Sequence, residues 1–247
     1  ENILEVKNFT STRSNSFKNF SFELKKGEIL GVAGLVGAQR TELMEAIFGI
    51  RAIEAEGKLL LHGKEVKIKD SKDAIKNGLA LVTEDRRQSG IFSVLSISDN
   101  VSVASLKNYT NAIGLLQESK IHDMVDQEIK ALNVRTPSRD TLIQNLSGGN
   151  QQKVILSRWL VTSPEVFILD EPTRGIDVGA KYEIYEIINA LAKQGKSIIL
   201  ISSEMSEIIG MSNRIMVMCE GEISGFLDQK DATQENIMSL ATRFMTN

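Results

Sequence analysis

Apolar residues concentrate over 3–9, over 20–24 and, after the Lys26-Gly27 turn, over 28–33. Those stretches predict three early strands. Residues 40–48 then predict a helix that stops at Gly49. Strand-like runs recur at 58–61 and 79–82. From about residue 87 to 162 the pattern changes: long β-branched runs disappear, and helical spacing shows around 121–132 and 151–161. From Glu165 onward strand and helix alternate again. Ile184, Ile187, Ile188 and Leu191 fall at i, i+3, i+4 and i+7, one face of an amphipathic helix. The apolar runs 197–201 and 215–219 predict buried strands. Alternation on this scale argues for an α/β fold with a mostly parallel sheet core, interrupted by a helical insertion.

Composition narrows the picture only a little. A chain of 247 residues suits one large domain or two small ones and can bury a substantial core. Its 42% hydrophobic and 25% charged content is ordinary for a globular protein. A net charge of −3 gives no electrostatic reason to expect a nucleic-acid partner. The one cysteine, Cys219, cannot form an internal disulfide, in keeping with a reducing compartment, and its apolar run predicts a small core residue. No apolar run approaches the ~20 residues that span a bilayer, so any membrane role is expected to be peripheral. The sequence starts at Glu1 and enters a strand-like run at once, which reads as a piece of a longer protein. His62 and His122 lie far from any motif and are expected on the surface.

Two segments carry the chemistry. Leu146-Ser147-Gly148-Gly149-Asn150-Gln151-Gln152-Lys153 places a serine and two glycines at a helix start. The unpaired N–H groups of a first turn bind anions, and glycines let a phosphate approach closely. Just downstream, Val166-Phe167-Ile168-Leu169-Asp170-Glu171-Pro172 is an apolar strand ending in adjacent carboxylates. Such a pair supplies an acid for a metal and a base for water. Either segment alone has a bland reading, a turn or a common strand end. In this order they resemble the signature motif and Walker B strand of ATP-binding-cassette (ABC) ATPases.

A third segment sits upstream at a strand-to-helix junction, Gly31-Val32-Ala33-Gly34-Leu35-Val36-Gly37-Ala38-Gln39-Arg40-Thr41. The usual phosphate loop has Gly, four residues, then Gly-Lys-Ser/Thr. Here Gln39 replaces the second glycine and Arg40 the lysine, while Gly34, Gly37 and Thr41 are kept. Arginine is a planar fork that needs more room than the compact lysine ammonium. Gln39 puts a side chain where the backbone is expected to need glycine-like freedom. Alone, the segment reads better as a plain glycine turn feeding a helix; its place upstream of the signature and the acid pair makes it resemble an altered Walker A loop.

The resemblance covers almost the whole chain. Residues 28–50, 81–87 (LVTEDRR), 146–160 and 170–181 are similar to the second half of bacterial sugar-import ABC ATPases, in which two ATP-binding domains share one polypeptide. The "GLVGA-x-RT" and "LVTE-x-RR" forms point to the galactose/methyl-galactoside branch over the ribose branch. The interval between Gly34 and Ser147 holds no sustained heptads, unlike chromosome-type members of the wider family.

The resemblance implies an ABC-type P-loop ATPase fold, with a RecA-like mostly parallel core, an N-terminal antiparallel β subdomain and a helical subdomain over about 87–162, the whole of 1–247 forming one ATP-binding domain. It implies ATP and Mg²⁺ as ligands. By position, Thr41 and Asp170 would organise Mg²⁺, Glu171 would polarise the attacking water, and Gly34, Gly37, Ala38, Gln39 and Arg40 would line phosphates. Ser147, Gly148, Gly149 and Asn150 would serve an ATP held by the other half. Phe9 stands about where the family stacks an aromatic on adenine, with a core role equally open. Asp177 would couple the two sites or simply begin a helix favoured by its dipole. Ser203 stands in place of the family's histidine, and Thr83-Glu84 in place of its Q-loop glutamine, so the γ-phosphate sensors are altered in this half. Trp159 and Arg158 are expected to be packing or surface residues.

The partners implied are the N-terminal half of the same polypeptide, membrane permease subunits and, indirectly, a periplasmic or extracellular sugar-binding protein. The expected location is the cytoplasmic face of the membrane, and no nucleic acid is implied. A non-hydrolytic nucleotide-binding module is the alternative for this half.

Overall fold

The computed structural model describes residues 1–50 and 54–245. They form two compact units: Glu1–Leu81 with Pro164–Glu171 and the chain from Ile188 onward, and Val82–Ser163 with Pro172–Ile187. The second unit contains the 87–162 stretch that lacks strand patterning and adds the segment after Glu171.

In the first unit, β1 (Asn2–Ser11), β2 (Phe20–Lys25), β4 (Ala55–Leu61) and β5 (Lys64–Val66) make a four-stranded antiparallel sheet in the order β2-β1-β4-β5. Strand β2 buries Phe20, Phe22 and Leu24 and turns the residues between them outward, the period-2 pattern of a sheet with one covered face. A six-stranded sheet has the order β10-β9-β3-β8-β7-β6, comprising β3 (Ile29–Gly34), β6 (Leu79–Val82), β7 (Val166–Asp170), β8 (Ser197–Ile201), β9 (Arg214–Cys219) and β10 (Glu222–Asp228). Strands β9, β3, β8 and β7 are parallel neighbours, and β10 closes one edge antiparallel. Strands β7 and β8 are buried at every position, which is why they read as unbroken apolar runs rather than alternating ones. Helices α1 (Arg40–Ile47), α2 (Ser71–Lys76), α7 (Met205–Met211) and α8 (Gln234–Ala241) belong to this unit.

In the second unit, α3 (Ile97–Ser102), α4 (Glu118–Ala131) and α5 (Gly148–Leu160) surround a small core of Ile97, Val101, Ile121, Val125, Val134, Ile143 and Val154. Each such side chain contributes roughly 2 kcal/mol by leaving water. Helix α6 (Val178–Lys193) follows the Walker B segment. The predicted strands and helices all occur, with ends shifted by a few residues. Cys219 is buried as expected. Arg158, expected to pack or face solvent, is buried: Nε donates to Asn100 O (2.6 Å), Nη1 to Gly90 O (2.8 Å) and Nη2 to Asn100 Oδ1 (2.9 Å). Its guanidinium lies over the Phe92 ring, and burial pulls its pKa down to about 10, which leaves it cationic at neutral pH. His62 is half exposed, with Nε2 3.2 Å from Glu165.

Candidate functional site

The six-stranded sheet brings the loops after β3, β7 and β8 together, because β8 lies between the other two. Ligands of open α/β sheets bind beyond the carboxyl ends of such strands. Gly34 ends β3 where a Cβ would lie 2.8 Å from Met218 O and 2.9 Å from Ala38 Cβ, so only glycine fits. Ala38 N donates to Leu35 O (3.0 Å), closing the turn, and Ala38 itself is buried. Gly37 takes φ +86° with open space around it.

Gln39 precedes α1 with φ 69°, ψ 27°, the left-handed conformation that glycine adopts at little cost. Its side chain folds back locally: Oε1 accepts from Ser16 Oγ (3.1 Å), and Nε2 donates to Gly37 O (3.3 Å). A cavity of about 320 Å³ lies beside it, lined by Arg13, Ser16, Phe17, Gln39, Glu42 and Glu54 among others. Arg40 Nη1 donates to Ser202 O (3.2 Å), just past β8, so its guanidinium is already engaged by the chain itself. Thr41 Oγ1 donates to Asp170 Oδ2 (2.7 Å) at the end of β7, and Asp170 is 2% exposed. Glu171, at φ +50°, donates its N–H to Ile201 O (2.9 Å), and its Oε2 accepts from Ser203 Oγ (3.2 Å). The expected residues Arg40, Thr41, Asp170, Glu171 and Ser203 are thus gathered in one place.

Phe9 is not. Of the two readings open for this ring, adenine stacking or a core role, the structure shows a core position: it is 6% exposed and stacked on Phe17 (centroids 6.0 Å apart, planes 5° apart), which itself meets Phe20 edge-on. Phe9 belongs to the β-subdomain core because its strand turns it inward beside two other aromatics.

A hydroxyl and a carboxylate joined at 2.7 Å are hard oxygen donors suited to Mg²⁺, which is commonly held by one or two carboxylates plus substrate phosphates. No group of three or more His, Cys, Asp or Glu side chains able to hold a metal occurs among the described residues. A cation here would rest on this pair and on phosphate oxygens. The residues present fit the metal; Gln39 and Arg40 fit the phosphates less well than glycine and lysine would.

In the second unit, Ser147 is exposed and caps α5 without a side-chain bond to the helix backbone. Its Oγ accepts from Asn150 Nδ2 (2.9 Å), and Asn150 Oδ1 accepts from Arg135 N (2.8 Å). Asn150 therefore positions the serine. Gly149 has a packing reason to be glycine besides the one its motif suggests: a Cβ there would lie 2.5 Å from Ala180 Cβ on α6. Asp177 Oδ1 accepts from Ala180 N (3.0 Å), the bond of a residue that begins a helix. Lys153 is buried, donating to Asn133 O (3.0 Å) and pairing with Glu183 (2.6 Å). That ammonium, with Arg135 further off, holds the Glu183 carboxyl below the usual range.

Sequence reasoning missed the role of Arg86. Its Nε donates to Gln151 Oε1 and its Nη1 to Arg174 O, both at 3.2 Å, and a Cβ on Gly148 would lie 2.9 Å from its Nη2. Burial lowers its pKa, neighbouring Arg87 acts in the same direction, and Asp85 opposes them. Arg174 in turn pairs with Glu84. Beside Arg86 lies a cavity of about 470 Å³ bounded by Arg86, Arg87, Gln144, Gly148, Gln151 and Gly175. The one available signal was the LVTEDRR form itself, which marks the segment without saying what it touches.

Residues 17–174 match the family model described as ABC transporter. The chain is 58% identical over 245 residues to the galactose/methyl galactoside import ATP-binding protein MglA of Clostridium tetani, covering 99% of this chain and 48% of that protein. It is 52% identical over 242 residues to the protein of the same name from Escherichia coli K12, covering 98% and 48%. The chain spans about half the length of the curated relatives it matches. In fold it is similar to the solved structure of an ATP-binding cassette of an ABC transporter, with a TM-score of 0.82, 17% identity, and 97% and 98% of the two chains covered. The two sheets and the helices match the fold of such cassettes, and the chain belongs to the ABC transporter ATP-binding family.

Proposed function

We propose that this chain is the second ATP-binding half of a tandem ABC ATPase that energises import of galactose or methyl galactoside. The observation that carries the reading is the contrast between its two sets of motifs. The signature turn is intact, with Ser147 exposed and oriented by Asn150. The chain's own phosphate loop has Gln39 in a left-handed conformation and Arg40 engaged by Ser202. A tandem protein with one strong site needs one intact signature and one intact phosphate loop, on opposite halves. This half supplies the signature, and its own site is the weaker one. No helix among the described residues is long and apolar enough to cross a membrane, so the reading assigns transport of the sugar to permease subunits. The helical unit docks them at the cytoplasmic face, and a periplasmic or extracellular sugar-binding protein delivers the cargo.

In this reading Ser147, Gly148 and the first-turn N–H groups of α5 bind the phosphates of ATP held by the first half. Gly149 allows α6 to approach, and Asp177 starts α6 at the boundary between the halves. On the chain's own side, Gly34, Gly37 and Ala38 shape the loop. Thr41 and Asp170 would hold Mg²⁺, and the charge such an ion supplies would offset that of phosphate oxygens. Glu171 is placed as a base for water, but Ser203 supplies it with a hydroxyl where the family has a histidine. A hydroxyl cannot carry the positive charge an imidazole can. That substitution supports a non-hydrolytic role for the chain's own site.

The test is uptake of labelled galactose by cells whose full-length protein carries Ser147→Arg, with ribose uptake through an unrelated system as control. Loss of galactose uptake alone supports the reading, and undiminished uptake refutes it.

A further inference from the structure

The segment Thr83–Arg87 occupies the place of the family's Q-loop, yet its polar groups are committed elsewhere. Asp85 Oδ1 accepts from Arg87 N and Gln88 N (both 2.9 Å), Ser89 Oγ donates to Asp85 O (2.8 Å), and Thr83 Oγ1 lies 2.8 Å from Ser89 Oγ. These local bonds close 83–89 into a turn. From it the Arg86 guanidinium reaches two other segments at once: Gln151 in the first turn of α5, and Arg174 O in the loop before α6. Gln151 is 8% exposed and held at its other end, where Nε2 donates to Ile143 O (3.2 Å). The Cα of Gly148 presents its bare face to Arg86 Nη2 and to Gly175 O. Glu84 fixes Arg174 from the same turn.

We propose that Arg86 is a positioning residue for the signature turn, so that the segment in the Q-loop's place serves ATP bound by the partner half rather than this chain's own phosphate loop. The proposal rests on the reading that Ser147 and Gly148 engage that ATP. One planar fork ties the signature turn to the Arg174–Gly175 loop, and its two directed bonds fix the angle at which Gly148 is presented. Lysine, a point charge on a flexible stem, cannot supply both bonds in fixed geometry.

The experiment uses the full-length protein assembled with its permease in liposomes, reading kcat and KM for ATP per folded molecule alongside Tm. Four variants are compared: Arg86→Ala, Arg86→Lys, Arg87→Ala as a charge-matched neighbour, and Ser147→Arg. Misplacement of a reacting group by about an ångström costs up to ~100-fold in rate. Arg86→Ala is expected to lower kcat about tenfold or more while KM changes about twofold or less, with Arg86→Lys giving little rescue and Arg87→Ala near the wild type. A merely structural role would lower Tm and folded yield and leave kcat per folded molecule unchanged, and that result overturns the proposal. So does full rescue by lysine. If Ser147→Arg leaves turnover intact, the reading beneath falls and takes the proposal with it. If Ser147→Arg abolishes turnover and Arg86→Ala does not lower it, only the proposal falls.

Discussion

Thr41 Oγ1 donates to Asp170 Oδ2 at 2.7 Å, joining the first turn of α1 to the last residue of β7, while the neighbouring Arg40 donates to Ser202 O at 3.2 Å. One side chain of the loop keeps a geometry suited to a metal and phosphate, and the next is turned onto the chain itself. The two residues separate what this site retains from what it has changed.

Restoring the usual residues should reverse the change. In the double variant Gln39→Gly/Arg40→Lys, the left-handed position is freed of its side chain and the bond to Ser202 is lost. Titration calorimetry with Mg·ATP should show tighter binding by about tenfold, equivalent to ~1.4 kcal/mol. Unchanged or weaker binding would mean that Gln39 and Arg40 are themselves good nucleotide contacts.

Arg158 organises the second unit. Its three bonds to Asn100 and Gly90 satisfy groups in two other segments, and Asn100 itself accepts from Phe92 N and donates to Phe92 O and Ser96 O. Arg158→Ala should destabilise the protein by about 3–5 kcal/mol, because it strands buried partners as well as losing its own contacts. Urea unfolding monitored by Trp159 fluorescence measures this. A loss below about 1 kcal/mol would contradict a structural knot.

Much of this architecture is visible in the sequence, and the reasons are physical. Strands β7 and β8 are buried at every position, so their apolar runs can hardly be anything else. Gly34 and Ser147 sit in glycine-bearing motifs at helix starts, which the sequence shows directly. Strand β10 and helices α7 and α8 are harder to read: each is only partly buried, so polar and apolar positions mix along it. Phe9 and Arg86 mark the real boundary. Whether an aromatic faces a base or a core depends on Phe17 and Phe20. What an arginine reaches depends on Gln151 and Arg174, which are distant in sequence and brought near only by folding.

Gly149 tests the packing explanation for a motif glycine. A Cβ there meets Ala180 Cβ at 2.5 Å, so Gly149→Ala should cost about 1–3 kcal/mol despite alanine's better helix propensity. Ala180→Gly in the same chain should recover part of that loss. If the single variant is as stable as the parent, the approach of α5 and α6 is not set by this contact.

The Lys153–Glu183 pair gives a pH dependence. The folded carboxyl is held below its ordinary value of about 4.3 by Lys153. Its contribution is therefore complete above pH ~4.3 and fades as pH falls through the folded pKa, where the unfolded chain takes up the proton first. Glu183→Gln should be less stable at pH 7, by about 1 kcal/mol or less since the carboxylate is partly solvated. The two stability curves should converge on acidification below that value. Parallel curves from pH 7 to pH 3 would show that the pair contributes nothing.

The most direct test of the signature-lending account compares sugar-stimulated ATP turnover of the full-length protein carrying Ser147→Arg with that carrying Glu171→Gln. The expected result is loss of turnover in the first, with the second keeping about half or more of the parent rate, because the working ATP meets this chain's signature and not its base. Loss of turnover in Glu171→Gln, with turnover preserved in Ser147→Arg, would contradict it.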